Sequence, residues 1–195
     1  MSKKKKFSSK DFLSQFETCP QLAYDFSKDE ILVETKRFLE FIGYKIVDPP
    51  GMDQLELKPN FYGIREVQDK KFKIAGLLIK DMTEATETIA PLDTLKSQLG
   101  EDVDFVMAVP PVNERYLIDF MCEDNYRLYK KIQQERYMLW LINPDELSVW
   151  CAFGAPRDKF IQEYFKFQGG IDRLMQMPYR REAKQIRKDF WKDEE

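Results

Sequence analysis

The chain has 195 residues, with 31 lysines and arginines against 34 aspartates and glutamates, a formal net charge of -3 and no histidine. The missing histidine excludes Ser-His-Asp and Cys-His catalysis, histidine general bases, zinc fingers and haem ligation by histidine. Hydrophobic residues make up 43% of the chain and charged residues 33%, which is typical of a single globular domain rather than of a disordered or fibrous protein.

The cysteines and the apolar runs indicate a cytoplasmic protein. Cys19, Cys122 and Cys151 are widely spaced and form no Cys-x-x-Cys pair, so we expect neither a disulfide framework nor a metal cluster. No apolar run approaches the roughly 18 residues of a membrane span. The basic N-terminus has no following apolar segment, so it is not a signal peptide.

The first predicted element is a helix that begins after Ser27. Ser27 and Glu30 have the spacing of a capping box, in which each side chain binds a free amide of the first turn. Gly43 is suited to end the helix, because glycine adopts the left-handed conformation without strain. The apolar stripe of this helix comprises Ile31, Leu32, Thr35, Phe38, Leu39 and Ile42.

Three strands are predicted next. Lys45–Asp48 is short, whereas Leu55–Val67 and Phe72–Lys80 are longer and form a hairpin with a turn at 68–71. The run Ala75–Ile79 is continuously apolar, which indicates a strand buried on both faces.

A second helix is predicted to start with Pro91 in its first turn and to end at Gly100. The apolar strand Val103–Val109 follows, and then a long helix runs from Asn113 to about Gln134. Because both Val103–Val109 and Ala75–Ile79 are buried runs, we predict that they are adjacent central strands.

The last predicted strands are Tyr137–Ile142 and Leu147–Phe153, which flank a turn at 143–146. Pro156 then opens another helix that is broken at 169–170. Because helices interrupt the strands, the order indicates an α/β or α+β domain with a mixed β-sheet.

We divide the chain into a basic tail and lead-in at 1–26, an α/β domain at 27–168 and a helical extension at 169–195. Residues 179–195 alternate in charge sign, which predicts an exposed helix with a narrow apolar edge. The last quarter also holds more aromatic surface than a small domain easily buries, so we predict a protein interface there. The residues concerned are Phe153, Phe160, Phe165, Phe167, Phe190 and Trp191.

The element order and apolar texture of residues 29–153 resemble the restriction-endonuclease-like superfamily, whose nucleases carry an Asp followed, after a hairpin, by Glu-x-Lys. This resemblance implies a mixed β-sheet flanked by helices, with the extra helices at the C-terminal end. The segments that carry it are EILVETKRFLEFIGYKIVD, GLLIKD, LDTLKSQLGEDVDFVMAVP and RYMLWLINPDELSVW.

In active members of that superfamily, the two carboxylates hold Mg²⁺ and the lysine steadies charge at the phosphodiester. Carried onto this chain, the resemblance makes Lys80 the lysine. Strand alternation then puts residue 78 in the place of the glutamate, and residue 78 is Leu78. The first acid would be Asp53 or Glu56. The site is therefore expected to lack one of its two acids.

Other residues enter with alternatives. The literal match Glu56-Leu57-Lys58 lacks a preceding hairpin and is interpreted as solvent-facing polar residues around apolar ones. Glu34 could be a supporting acid or an ordinary surface glutamate. Gln98 could be a polar residue near the site or solvent-exposed.

Candidate contacts to nucleic acid come from basic residues near both ends of the chain, although a solvated tail remains the alternative for the N-terminal lysines. These candidates are Lys3, Lys4, Lys5, Lys6, Arg180 and Arg181.

Three functions remain open. The first is a catalytically degenerate nuclease-like domain that serves as a binding or assembly subunit of a nucleic-acid-handling or antiviral defence complex, without a cofactor. The second is an active Mg²⁺-dependent nuclease whose acid has migrated to Glu66 or Asp81. The third is an α/β interaction scaffold without nucleic acid. We expect a protein partner or a homo-oligomer, and no membrane contact.

Overall fold

The computed structural model describes residues 26–112, 117 and 127–162. Its first element, α1 (Lys28–Phe41), confirms the predicted helix and its capping box. The Ser27 side chain accepts a hydrogen bond from the amide of Glu30, and the Glu30 carboxylate accepts one from the amide of Ser27. Gly43 follows the helix with φ +89°, as the sequence predicted.

The predicted hairpin is present with different bounds. Strand β1 is Lys45–Ile46, β2 is Phe61–Val67 and β3 is Lys70–Leu78, so the two long strands are joined by Gln68 and Asp69 alone. The predicted strand from residue 55 is wrong before Phe61, since residues 52–54 form a 3-10 turn. Phe61 pairs with Gly76 near the end of β3, so the residues before Phe61 have almost no strand left to pair with.

Helix α2 (Ala85–Leu99) begins earlier than predicted. A 3-10 turn at Met82–Glu84 precedes it, and the Asp81 side chain caps that turn by accepting from the amide of Thr83. Pro91 therefore lies inside the helix and not in its first turn. The predicted end at Gly100 is confirmed, with φ +93°.

The remaining described elements are β4 (Val103–Val109), the helical residues 127–135, β5 (Met138–Asn143), β6 (Ser148–Phe153) and the helical residues 159–162. The first part of the helix predicted from Asn113 lies mostly outside the described residues. So do the end of the helix predicted from Pro156 and the C-terminal extension.

The six strands form one mixed sheet in the order β1-β2-β3-β4-β5-β6. The pairs β1–β2, β2–β3 and β5–β6 are antiparallel, whereas β3–β4 and β4–β5 are parallel. This confirms that Val103–Val109 and Ala75–Ile79 lie side by side in the centre. The fold is an α+β mixed sheet with flanking helices.

Each face of the sheet carries its own apolar core. Ile74, Leu78 and Trp140 belong to the face covered by α1, whereas Ala75 and Met107 belong to the face covered by α2. Alternation along β3 thus sends neighbouring residues into different cores, as burial on both faces requires. No helix among the described residues is both long and apolar enough to cross a membrane.

Gly76 fixes how closely β2, β3 and β4 approach one another. A Cβ atom at this position would lie 2.2 Å from Cζ of Phe61 and 2.8 Å from the carbonyl oxygen of Val106. Both distances are far below van der Waals contact, so only glycine fits between the Phe61 ring and the neighbouring strand. The close approach positions the end of β3, where the predicted site lies.

Candidate functional site

Leu78 and Lys80, the two positions assigned to the Glu-x-Lys motif, lie where β3 ends. Leu78 is the last residue of β3 and is only 6% exposed, because its side chain packs in the core beneath α1. Lys80 is exposed, and its backbone amide donates to Oε2 of Glu84 at 3.1 Å. The position of the expected glutamate is therefore an apolar core position, next to a lysine at the surface.

The residue that the hairpin brings against Leu78 is Asn60, which the sequence analysis missed. Oδ1 of Asn60 accepts a hydrogen bond from the amide of Leu78 at 2.8 Å, and the amide of Asn60 donates to the carbonyl oxygen of Gly76 at 2.9 Å. Asp53, which was predicted to be the first acid, is an exposed residue of the 3-10 turn at Met52–Gln54, which precedes Asn60 in the chain.

A signal for Asn60 was available in the sequence. The turn at 68–69 pairs Val67 with Lys70, and counting outward from it pairs Phe61 with Gly76. The residue before Phe61 must then face the end of β3, because each step away from the turn on one antiparallel strand is matched by one step on the other. The predicted four-residue turn at 68–71 gave a different register, in which this pairing was not visible.

Glu34 is a buried ion-pair partner and not a surface glutamate. Its side chain is 4% exposed, and its carboxylate accepts from Nε of Arg37 at 2.6 Å and from Nη2 at 2.5 Å. Nη2 of Arg37 also donates to the carbonyl oxygen of Leu147 at 2.9 Å. Arg37 thus engages both oxygens of Glu34 and ties α1 to the β5–β6 turn.

Gln98 is not a free surface residue either. Its amide lies against the backbone of the segment before β2, in the orientation that lets its nitrogen donate to the carbonyl oxygen of Leu57 at 3.2 Å. Its oxygen then accepts from the amide of Glu56 at 2.9 Å. Since both of these residues are held through their backbone and Leu57 packs against the core, the literal Glu56-Leu57-Lys58 match is a structural segment docked on α2.

The two positions considered for a migrated acid have different surroundings. Glu66 lies near the turn of the hairpin, where its carboxylate is 3.2 Å from Nζ of Lys71. Lys71 is seven residues before Leu78, which is about 23 Å along a strand. Asp81 does adjoin Lys80, but its carboxylate caps the following turn through the amide and hydroxyl of Thr83.

An acid that the sequence analysis did not consider lies beside Lys80. The Glu84 carboxylate accepts from the amide of Lys80, and the same oxygen is 3.2 Å from Nζ of Lys28 at the start of α1. Glu84 is half-exposed and joins the end of β3 to α1.

The residues present do not fit the Mg²⁺ that the superfamily resemblance implies. Mg²⁺ needs oxygen ligands in near-octahedral geometry, whereas Leu78 has no ligand atom and the Asn60 oxygen already accepts a backbone hydrogen bond. Within residues 26–112 and 127–162, no three acidic or cysteine side chains come together in a way that could hold a metal ion.

A second polar cluster lies at the opposite end of the parallel strands, near the start of β4. Asp104 is buried there, where it accepts from the backbone amide of Arg157 at 2.8 Å and lies 3.7 Å from Nε of Arg157. Burial raises the pKa of Asp104 to about 6, and the charge of Asp158 adds to the rise while Arg157 opposes it.

The cluster anchors the residues that follow β6. Asp158 is 3% exposed and pairs with Nη1 of Arg65 on β2, and its other oxygen accepts from the amide of Phe160 at 2.9 Å. The Arg65 guanidinium also lies 4.7 Å from the centre of the Phe160 ring. The buried Tyr44 hydroxyl lies in the field of both aspartates, and burial, with these charges, raises its pKa well above the usual range.

This second cluster was not predicted from the sequence. Its one visible signal is Asp104, a lone carboxylate in an otherwise apolar strand, which requires a buried partner. That partner, Arg157, is more than 50 residues away in the chain.

The six basic residues predicted to contact nucleic acid, at 3–6 and 180–181, lie outside the described residues.

No protein-family model and no curated protein matches this sequence. Among solved structures, the chain is similar to an XisH family protein from Nostoc punctiforme, with 14% sequence identity and a TM-score of 0.41. The match covers 62% of this chain and 95% of the Nostoc protein.

Proposed function

We propose that this chain is a nuclease-like domain of the restriction-endonuclease-like type that no longer cleaves nucleic acid. In this proposal it serves as a cytoplasmic binding or assembly subunit of a nucleic-acid-handling or defence complex. The observation that carries the proposal is the end of β3. Leu78, to which the resemblance assigns the place of the glutamate, lies in the core, and its amide donates to the side-chain oxygen of Asn60.

Restoring the site would need more than one substitution. Leu78 is part of the core beneath α1, so a glutamate there would bring a charge into an apolar environment. The side-chain oxygen of Asn60 accepts a hydrogen bond from the amide of Leu78. This oxygen is therefore already engaged by the backbone at the end of β3. Local packing and hydrogen bonding therefore both support a non-catalytic role.

In this proposal Lys80 is what remains of the Asp and Glu-x-Lys signature. In an active nuclease this lysine steadies charge developing at the phosphodiester, a role that requires the neighbouring metal. Without two carboxylates it is an exposed cation at the end of β3, beside Asp81 and Glu84. A cation there can contact a phosphate or an acidic protein surface without any chemistry.

A nuclease assay tests the proposal directly. We expect no cleavage of DNA or RNA above background with Mg²⁺ or Mn²⁺, because loss of the metal removes the activated water and the charge clamp. A loss of about 5 kcal/mol of transition-state stabilisation slows a reaction roughly 10³- to 10⁴-fold. Purified protein and Lys80→Ala are to be compared, with a metal-chelated sample as the blank.

Cleavage that Lys80→Ala abolishes would overturn the proposal in favour of an active nuclease with a displaced acid. In that event Glu84→Gln tests the carboxylate that contacts the Lys80 amide, with Glu66→Gln as the matched control far from the lysine. Cleavage that Lys80→Ala leaves unchanged would mean a contaminant or a site elsewhere.

Binding separates the proposed role from that of a scaffold without nucleic acid. A subunit that contacts phosphates should bind DNA or RNA with an affinity that falls steeply as salt rises, since each contact releases counterions. Absence of binding at low salt, together with co-purification of a protein alone, would favour the scaffold.

A further inference from the structure

An exposed apolar surface lies on the outer side of α1. Val33 is 68% exposed and Phe41 is 71% exposed, and Leu147 in the β5–β6 turn is 60% exposed. Val33, Arg37 and Phe41 follow one another at intervals of four residues, so they share one side of the helix. The hydrogen bond from Arg37 to the carbonyl of Leu147 brings the turn against that side. We call Val33, Phe41 and Leu147 the α1 face.

Leu147 is unfavourable in this place for two separate reasons. Its φ is +50°, in the left-handed region where a side chain with a Cβ is strained and where glycine or asparagine is usual. Its side chain is also largely exposed to water. Both costs would be smaller with a glycine, and contact of the leucine side chain with another surface would offset them.

The charges around the α1 face are mainly negative. Arg37 is the basic group closest to its centre, and that charge is neutralised by the buried Glu34. The further cations on α1 are Lys36 and Lys28, and Lys28 pairs with Glu84. The exposed carboxylates on α1 and on the turn are those of Asp29, Glu30, Glu40, Asp145 and Glu146. A ligand for this face should therefore combine apolar side chains with positive charge.

The C-terminal part of the same chain has that combination. Residues 179–192 contain six basic residues and two acidic ones. Ile186, Phe190 and Trp191 are spaced so that they would share one side of a helix. The basic residues are Arg180, Arg181, Lys184, Arg187, Lys188 and Lys192. The N-terminal lysines have a similar charge, but Phe7 is the only aromatic residue directly beside them.

The described chain ends close to one end of the α1 face. Phe160 packs on Arg65, and the Arg65 side chain lies beside Gly43, which follows α1 directly. From residue 162 to residue 179 the backbone can span about 55 Å. Helix α1, with 14 residues, is about 21 Å long. The C-terminal residues can therefore reach every part of the face.

We propose that residues 179–192 cover the α1 face of their own chain. In this arrangement Ile186, Phe190 and Trp191 contact the apolar side chains of the face, and the basic residues lie against its acidic rim. This inference does not depend on the proposed function, because it involves neither Lys80 nor Asn60.

Limited trypsin digestion of the full-length protein tests the arrangement, because the segment contains six trypsin sites. We expect Phe41→Ser to accelerate cleavage within 180–192 at least tenfold. Leu147→Gly should act in the same direction and, since it relieves the strained φ, should not lower the melting temperature. The control is Val67→Ser, which removes an exposed apolar side chain from β2, and it should leave the cleavage rate unchanged.

Equal cleavage rates in the wild type, Phe41→Ser and Leu147→Gly would overturn the proposal. Faster cleavage at the N-terminal lysines alone would assign the face to the N-terminal tail instead. Sedimentation distinguishes the remaining case, because a dimer that Phe41→Ser converts to a monomer would mean that a second copy covers the face.

Discussion

Replacing Arg65 with alanine should lower the free energy of unfolding by about 3 to 5 kcal/mol. The change leaves the Asp158 carboxylate, 3% exposed, without its only close cation among the described residues. An uncompensated buried charge is far more costly than the pair itself is favourable. Denaturant unfolding of the wild type and Arg65→Ala measures the loss.

Two comparisons test whether the loss of stability in Arg65→Ala comes from the unpaired charge of Asp158 and not from lost packing on Phe160. Arg65→Ala combined with Asp158→Asn should be more stable than Arg65→Ala alone, because the neutral amide can still accept from the amide of Phe160. Lys73→Ala removes the cation from Asp102, whose side chain is 64% exposed, and should cost about 1 kcal/mol or less. Similar losses for the two pairs would contradict the prediction.

Raising the pH from 4 to 7 should lower the free energy of unfolding through Asp104 by roughly 3 kcal/mol. The pKa of this group is about 6 in the folded protein and 3.8 in its ordinary state. The folded state therefore holds a proton that the unfolded state releases, and each unit of difference is worth about 1.4 kcal/mol. The stabilisation is complete below about pH 4 and is lost as the pH rises through 6.

Asp104→Asn removes this titration, so its stability relative to the wild type should improve steadily between pH 4 and 7. The asparagine can still accept from the amide of Arg157, which keeps the local hydrogen bond. Asp102→Asn is the matched control near the same end of β4. The pKa of Asp102 is lowered by Lys73, so its contribution is lost only as the pH falls below the ordinary value of 3.8. Parallel pH curves for Asp104→Asn and the wild type would refute the prediction.

Most helices and strands could be predicted because their signals are local. The capping box of Ser27 and Glu30 lies within one turn, and its two hydrogen bonds form inside that turn. The run Val103–Val109 is apolar at nearly every position and is buried at every position. The predicted ends of helices and strands were wrong where they depend on contacts with residues distant in the sequence. The chain before Phe61 stays out of the sheet because β3 has almost ended opposite it.

Only part of the candidate site, Leu78 and Lys80 at the end of β3, could be predicted from the sequence. Strand alternation along one segment was enough to connect Leu78 with Lys80, since that relation lies within a single strand. The partner from the preceding strand depends on the register of the hairpin. Register follows from the turn, and a two-residue turn in place of a four-residue one moved the facing residue to Asn60.

Composition and local spacing were sufficient to exclude histidine chemistry and to predict a mixed sheet with two buried central strands. That Leu78 stands in the place of an acid is an expectation from the resemblance. Only the folded chain decided that Glu34 is buried against Arg37, that Gln98 holds the backbone of the segment before β2, and that Asp104 and Asp158 are joined to residues far from them in sequence. The physical reason is the same in each case. The burial of a polar side chain cannot be predicted from its neighbours in the sequence, because the residues that surround it belong to elements that meet only when the sheet and helices pack.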